Sequence, residues 1–237
     1  MHRSAPRLTR ILACAAVPVM LVAAGCSSDS DGDSAAKKSP AASASPEAAK
    51  SPTVAPAKYT KLPDPCKAVS AKTIEKLVPE VKKKAGTPGK STDVASRAGC
   101  SWNGLDDKGL KGSNYHWIDI ALVRYDSEAT LGSGEQRAEK RYAERVAEVK
   151  ATEGATELAT SPAGVGDTAT AFTYNVKKSG ETFTYAVVVT RTANAVVTVS
   201  YNGTGYAGAK NPSPSTLMKG TVTAAKEAVT SIATANG

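Results

Sequence analysis

The chain has 237 residues, with 30 Lys+Arg against 22 Asp+Glu, and is 41% hydrophobic but only 5% aromatic. The formal charge of +8 falls to +5 once the arginines of the first ten residues are set aside, and the remaining basic side chains are scattered, which excludes a nucleic-acid-binding footprint. Removing the two terminal segments described next leaves about 180 residues, enough for one medium domain.

Arg3, Arg7 and Arg10 precede an uncharged apolar run, Ile11 to Ala24, that ends in Ala23, Ala24 and Gly25. This is the anatomy of an export signal, assigned to residues 1–25. Fourteen residues cover about 21 Å as a helix, short of the roughly 30 Å hydrocarbon core, and Pro18 interrupts the run, so a permanent membrane span is not expected. The segment LVAAGCSS resembles a bacterial lipobox, with Ala23 standing where such boxes usually carry Leu. In that reading Cys26 receives diacylglycerol and a further acyl chain such as palmitate. It becomes the mature N-terminus and holds the protein on the outer face of the cell membrane, each buried methylene contributing about 0.8 kcal/mol.

Residues 26–57 are then the lipidated Cys and a Ser/Ala/Pro tether without periodic apolar pattern, which cannot bury enough surface to offset its ordering entropy. Asp29, Asp31 and Asp33 imitate a calcium loop. Gly32 is misplaced and Pro40 stands where the loop needs Glu, so a solvated spacer is expected.

The folded part is expected over 58–237. Asp64-Pro65-Cys66 reads as a cap, with Ser70 as a second start, for a helix over 66–79 carrying Ile74, Leu77 and Val78. Lys82–Lys84, Gly86, Pro88 and Gly89 break regular structure until a strand at Cys100-Ser101-Trp102. Tyr115 to Arg124 is apolar on both alternating faces and reads as a central strand. An exposed helix is expected over 135–149, with Ala138, Tyr142, Val146 and Val149 as a weak stripe.

Three antiparallel strands with one buried face are expected over 168–202. Phe172, Tyr174 and Val176, then Phe183, Tyr185, Val187 and Val189, then Val197, Val199 and Tyr201 would point inward. Thr173, Thr184, Thr198 and Ser200 would lie opposite, on a face that is either solvated or covered by a second helix. A last helix follows Pro212 and Pro214, striped by Met218, Val222, Ala225, Val229 and Ile232. The expected fold class is α+β, an antiparallel sheet of about five strands with helices packed on it, in the order α-β-β-α-β-β-β-α.

With Cys14 in the signal and Cys26 lipidated, Cys66 and Cys100 remain as one pair in an oxidising compartment. A disulfide is the economical assignment, contributing roughly 3.5 to 4 kcal/mol in the chain-entropy model. Two free buried thiols are the alternative. Two Cys with no nearby His are an incomplete metal-ligand set, so no metal is expected.

Taken together, the lipobox, the tether, Leu-Pro-Asp-Pro-Cys at 62–66, Gly-Cys-Ser-Trp at 99–102 and Gly-Val-Gly-Asp at 164–167 resemble the actinobacterial lipoproteins classed as domain of unknown function 3558. Their architecture is similar to PsbP-like α/β/α sandwiches. The resemblance implies an exposed lipoprotein and supports the Cys66–Cys100 bridge; it supplies no chemistry.

Catalytic patterns are weak. His116 is the one His outside the signal and shares a strand face with Ile118, Ile120 and Leu122, so a structural, hydrogen-bonded role is expected. No Ser stands in a nucleophile turn. Gly203, Gly205 and Gly208 match a dinucleotide fingerprint by letter, but Pro212 and Pro214 prevent a helix from opening there. A flexible surface loop is expected at 203–211, with Tyr206 as an exposed contact residue and the 103–114 loop beside it as a recognition edge. Gly164 to Ala169 and Gly89-Lys90-Ser91 fail as phosphate loops. The acid pairs Asp106/Asp107 and Asp126/Glu128 read as solvated. The expectation is a lipid-anchored envelope module without catalysis or cofactor, binding an envelope protein or cell-wall polymer. A cryptic cell-wall enzyme and an apolar-ligand carrier with a large cavity between sheet and helices are the alternatives.

Overall fold

The computed structural model describes residues 54–237; the readings of the signal, of Cys26 and of most of the tether fall outside them. Helix α1 (Ala71–Leu77) begins at Ser70, whose Oγ accepts from the Thr73 N–H at 3.2 Å. It is shorter than the expected 66–79, because Asp64 caps only a turn. Its carboxylate accepts from Cys66 N at 2.9 Å, and the Cys66–Cys100 disulfide fixes that turn to the sheet.

The sheet has seven strands, all antiparallel: β1 (Thr87–Pro88), β2 (Arg97–Asp107), β3 (Ser113–Arg124), β4 (Thr156–Pro162), β5 (Thr168–Lys178), β6 (Glu181–Thr192) and β7 (Ala195–Tyr206), in spatial order β1-β2-β3-β7-β6-β5-β4. β3 lies inside the sheet, as expected, between β2 and β7. Ser179 and Gly180, both at positive φ, turn β5 tightly into β6. The two strands beyond the expected five are the edges. β1 has two residues, and β4 is exposed at every position, so neither carries the alternation that burial imposes.

Helices cover both faces, so a second helix and not solvent lies opposite the first; the correction concerns which residues share each face. Helix α2 (Gly134–Lys150) starts with a reciprocal capping box between Ser133 and Gln136. Its Ala138, Tyr142, Val146 and Val149 pack on Phe172, Tyr174, Tyr185, Val187, Val189 and Val196. Helix α3 (Pro214–Asn236) lies on the other face, over Ile118, Ile120, Leu122, Val188, Val197, Val199 and Tyr201. The register explains the correction: Val187 pairs with Ser200 and Val188 with Val199. Thr198 and Ser200 therefore lie on the aromatic face, while Val197, Val199 and Tyr201 point away from it. Ala186 to Val189 is apolar throughout because both of its faces are covered.

Along α3 the deepest positions are Leu217, Gly220, Thr221, Ala224, Ala225, Ala228 and Ile232, with Met218, Val222 and Val229 beside them. Small residues let this helix sit close: a Cβ on Gly220 would lie 3.4 Å from the Tyr201 ring. The space between α3 and the sheet is thus filled by direct packing.

Candidate functional site

The end of the sheet where β2 meets β3 and β7 ends differs on its two faces. On the α3 face the sequence supplies glycine. Gly104 of β2 lies opposite His116 of β3, which lies opposite Gly203 of β7. A Cβ on Gly203 would sit 2.7 Å from the Tyr115 carbonyl oxygen and 2.9 Å from Pro212 Cγ; one on Gly205 would sit 2.7 Å from the Ala209 carbonyl carbon. The flattened surface is covered by residues 78–81 and by the chain folding back through 209–212. Asn211 secures that return: its Oδ1 accepts from Gly205 N at 2.8 Å and its Nδ2 donates to the Thr182 carbonyl at 2.9 Å.

Gly203 and Gly205 are consequently buried positions of β7, not parts of a flexible loop, and Tyr206 ends the strand half-buried; Gly208, at φ 85°, lies in the exposed turn beyond. Short polar runs such as Asn202–Gly205 lack the apolar alternation that marks a strand, so the sequence disguised them. Asn211 is the residue that sequence reasoning missed, and an Asn before Pro gave no signal of a long-range cap.

His116 sits beneath this cover. The Tyr201 hydroxyl donates its single proton to the Leu77 carbonyl and meets His116 Nδ1 at 2.9 Å. Nδ1 must therefore be the donor, which assigns the neutral tautomer with its proton there. Desolvation holds the His116 imidazole below its ordinary pKa, and burial pushes the Tyr201 phenol well above its own. The arrangement fits a hydrogen-bonded structural His.

On the α2 face the same end of the sheet carries large side chains and no helix. Leu105, Tyr115 and Tyr206 share this face with Trp117, Phe183 and Asn202, as the strand pairings require. Trp117 is 41% exposed and Leu105 39%, while Tyr115, Phe183 and Tyr206 are half-buried. Tyr115 meets Phe183 edge to face at 6.3 Å, and Tyr174 stacks on Tyr185 at 5.0 Å. Lys178 Nζ donates to the Tyr185 hydroxyl at 2.6 Å and closes one side. Asp119, between Ser101 and Ser200 in the ladder, faces the same surface half-buried, and desolvation pushes its carboxyl pKa up. On α2, Arg145, whose field reaches Asp119, is paired with Glu148, and Arg141 with Glu144 and Glu148, while Arg137 pairs with Glu128 beside Tyr125 at the other end of β3.

The other sequence candidates are engaged elsewhere. Asp106 pairs with Lys108, Asp107 accepts from Gly109 N and Ser113 Oγ, Asp126 pairs with Arg124, and Glu128 with Arg137. In the Gly164 to Asp167 motif, the Val165 carbonyl accepts from Thr190 Oγ1 and Asp167 accepts from Ala193 N, so this motif shapes the entry to β5. Of the Lys82–Lys84 cluster, Lys84 is tied to Glu75 at 2.8 Å. A cleft of about 440 Å³ between α1 and α3 is lined by Lys72, Lys76, Lys219, Thr216 and the Tyr201 ring.

An α+β domain with helices on both faces of one antiparallel sheet, an internal disulfide and one uncovered aromatic surface is the class these features define. The chain matches the family model described as protein of unknown function DUF3558 over residues 21–214, and belongs to that family. No curated protein matches it. Among solved structures it is similar to the crystal structure of LpqN, involved in cell envelope biogenesis of Mycobacterium tuberculosis. Identity is 16% and the TM-score 0.31, over 57% of this chain and 79% of that one.

Proposed function

We propose that the protein is a lipid-anchored, extracytoplasmic module of the cell envelope that holds a partner, without catalysis, on the open aromatic face of its sheet. The observation that carries the reading is the uncovered surface around Trp117, on a sheet whose other face is closed at the same end. The point of attachment supports it. Ser127 Oγ donates to the Ala55 carbonyl, Tyr59 N donates to Asn194 Oδ1, and Arg124 reaches the Tyr59 carbonyl, so the chain enters at the β6–β7 turn. The aromatic surface occupies the opposite half of β3 and β7. A lipid on Cys26 then leaves that surface clear of the attachment point. Among the described residues no helix is long and apolar enough to cross a membrane.

Two fractionations test this. The full chain produced in a lipoprotein-processing host should sediment with membranes, and Cys26→Ala should move to the soluble fraction; equal retention refutes the anchor. In the Cys26→Ala background, where no lipid holds the chain on a membrane, Trp117→Ala and Tyr206→Ala should lose co-sedimentation with added cell envelopes while still unfolding in one cooperative transition. Undiminished co-sedimentation refutes the docking face.

A further inference from the structure

We propose that the open face takes a neutral glycan chain; this rests on the docking reading above and names its ligand class. Three features of the surface argue for it. Tyr115 and Trp117 stand two residues apart on one face of β3, about 7 Å along the strand, with Phe183 and Tyr206 beside them on β6 and β7. Tyr115 and Phe183 meet edge to face, so the stacking partner for the C–H surface of a sugar ring is Trp117, the most exposed of the four, with the other rings bordering it.

The polar groups set between those rings are suited to hydroxyl donors. Asn103 lies opposite Trp117 on β2, and Asp119 stands two residues further along β3 with Ser101 and Ser200 on either side, all of them half-buried. Asp119 forms no ion pair among the described residues, although Arg145 exerts a favourable field on it. A half-buried carboxylate without a partner is an acceptor for two adjacent hydroxyl groups, the charge-assisted bonds being the strong ones.

Charge complementarity then separates the glycan from its competitors. The arginines along the α2 edge are already neutralised by glutamates, and Lys178 is engaged by Tyr185, so the surface has no free cation cluster for a phosphate or uronate polymer. Its two charges without an ion pair, the Asp119 carboxylate and the Lys178 ammonium that donates to the neutral Tyr185 hydroxyl, are single and opposite, so the surface has no net charge to hold an anionic polymer or lipid surface and suits a neutral polyol.

The test uses the full chain, purified in detergent from membranes, titrated by calorimetry with neutral oligosaccharides: cellohexaose, maltohexaose, a galactan fragment and an arabinan fragment. The expected result is saturable binding of at least one, weakened about tenfold or more by Trp117→Ala and by Asp119→Asn, with both variants still unfolding in one cooperative transition well above the titration temperature. Quenching of tryptophan fluorescence on binding should vanish in Trp117→Ala, because Trp102 is only 2% exposed. Binding of no oligosaccharide, or binding indifferent to both substitutions, overturns the glycan. If the oligosaccharides fail while co-sedimentation with envelopes still depends on Trp117, the glycan assignment falls and the docking face stands. If neither depends on Trp117, both fall.

Discussion

The two faces of one sheet end meet opposite fates, and the cause is visible residue by residue. On the α3 side Gly104, Gly203 and Gly205 carry no side chain to hold the covering backbone away, and two chain segments close over them and His116. On the α2 side Leu105, Tyr115, Trp117 and Tyr206 project from the same strands into a surface that no helix covers. Identical backbone thus serves as core on one side and as contact surface on the other. The closed side should respond to mutation as a stability element, the open side as a binding element.

The largest expected effect concerns the bond that holds the closed side together. Cys100 is buried among Trp102, Ile120 and the α1 residues, and its partner Cys66 anchors the turn that precedes α1. Cys66→Ala should lower the unfolding free energy by roughly 2 to 5 kcal/mol in denaturant titration, and non-reducing mass spectrometry of the parent should show the linked peptide. Two alkylatable thiols in native material would remove this element from the closed side.

Next in size is Gly203→Ala. The added Cβ meets backbone oxygen and the Pro212 ring, neither of which is the loose end of a flexible side chain, so about 2 kcal/mol of destabilisation is expected. The same substitution at Gly208, where nothing lies within 4 Å, should cost less, its strain coming from φ 85° alone. Equal costs at the two positions would mean that the 209–212 return does not press on β7.

These positions also show where the sequence spoke and where it did not. Long periodic segments announced themselves: the stripe of Ala138, Tyr142, Val146 and Val149 marks α2, and Tyr115 to Arg124 reads as an inner strand because both its faces are apolar. The face assignment of β7 did not, because the alternation of Val197, Val199 and Tyr201 is the same whichever side it faces; only the pairing of Val188 with Val199 decides it. The candidate surface was legible only through Tyr206. Trp117 looked like core because its strand is apolar throughout, and no local pattern says that α2 covers β6 and β7 but leaves β2 and β3 bare.

A pH titration separates the faces further. His116 is held neutral by desolvation on the closed side, so its folded pKa lies below the ordinary 6.5, with opposing smaller effects from Asp106 and Lys108. The unfolded chain then binds the proton first, and stability is lost as pH falls from about 6.5 toward the depressed folded value. His116→Gln should flatten this part of the stability profile, read as unfolding temperature against pH. An unchanged slope would place the imidazole in water.

The smallest effects belong to the open face. Trp117 is 41% exposed, so part of its ring system still rests on the sheet, and Trp117→Ala should cost about 1 kcal/mol, less than Gly203→Ala. Asp119 is the sharper probe. Desolvation raises its folded pKa above 3.8, so the folded state holds the proton more tightly than the unfolded one. Stability is therefore lost as pH rises from about 3.8 through the folded value, and at neutral pH the ionised carboxylate is a net cost. Asp119→Asn should raise the unfolding temperature at pH 7 and leave it unchanged at pH values low enough to protonate both states. A drop at pH 7 instead would reveal a structural partner for the carboxylate. A rise would identify a charged group whose presence weakens the free domain, which is the behaviour expected of a group placed for a ligand and not for the fold.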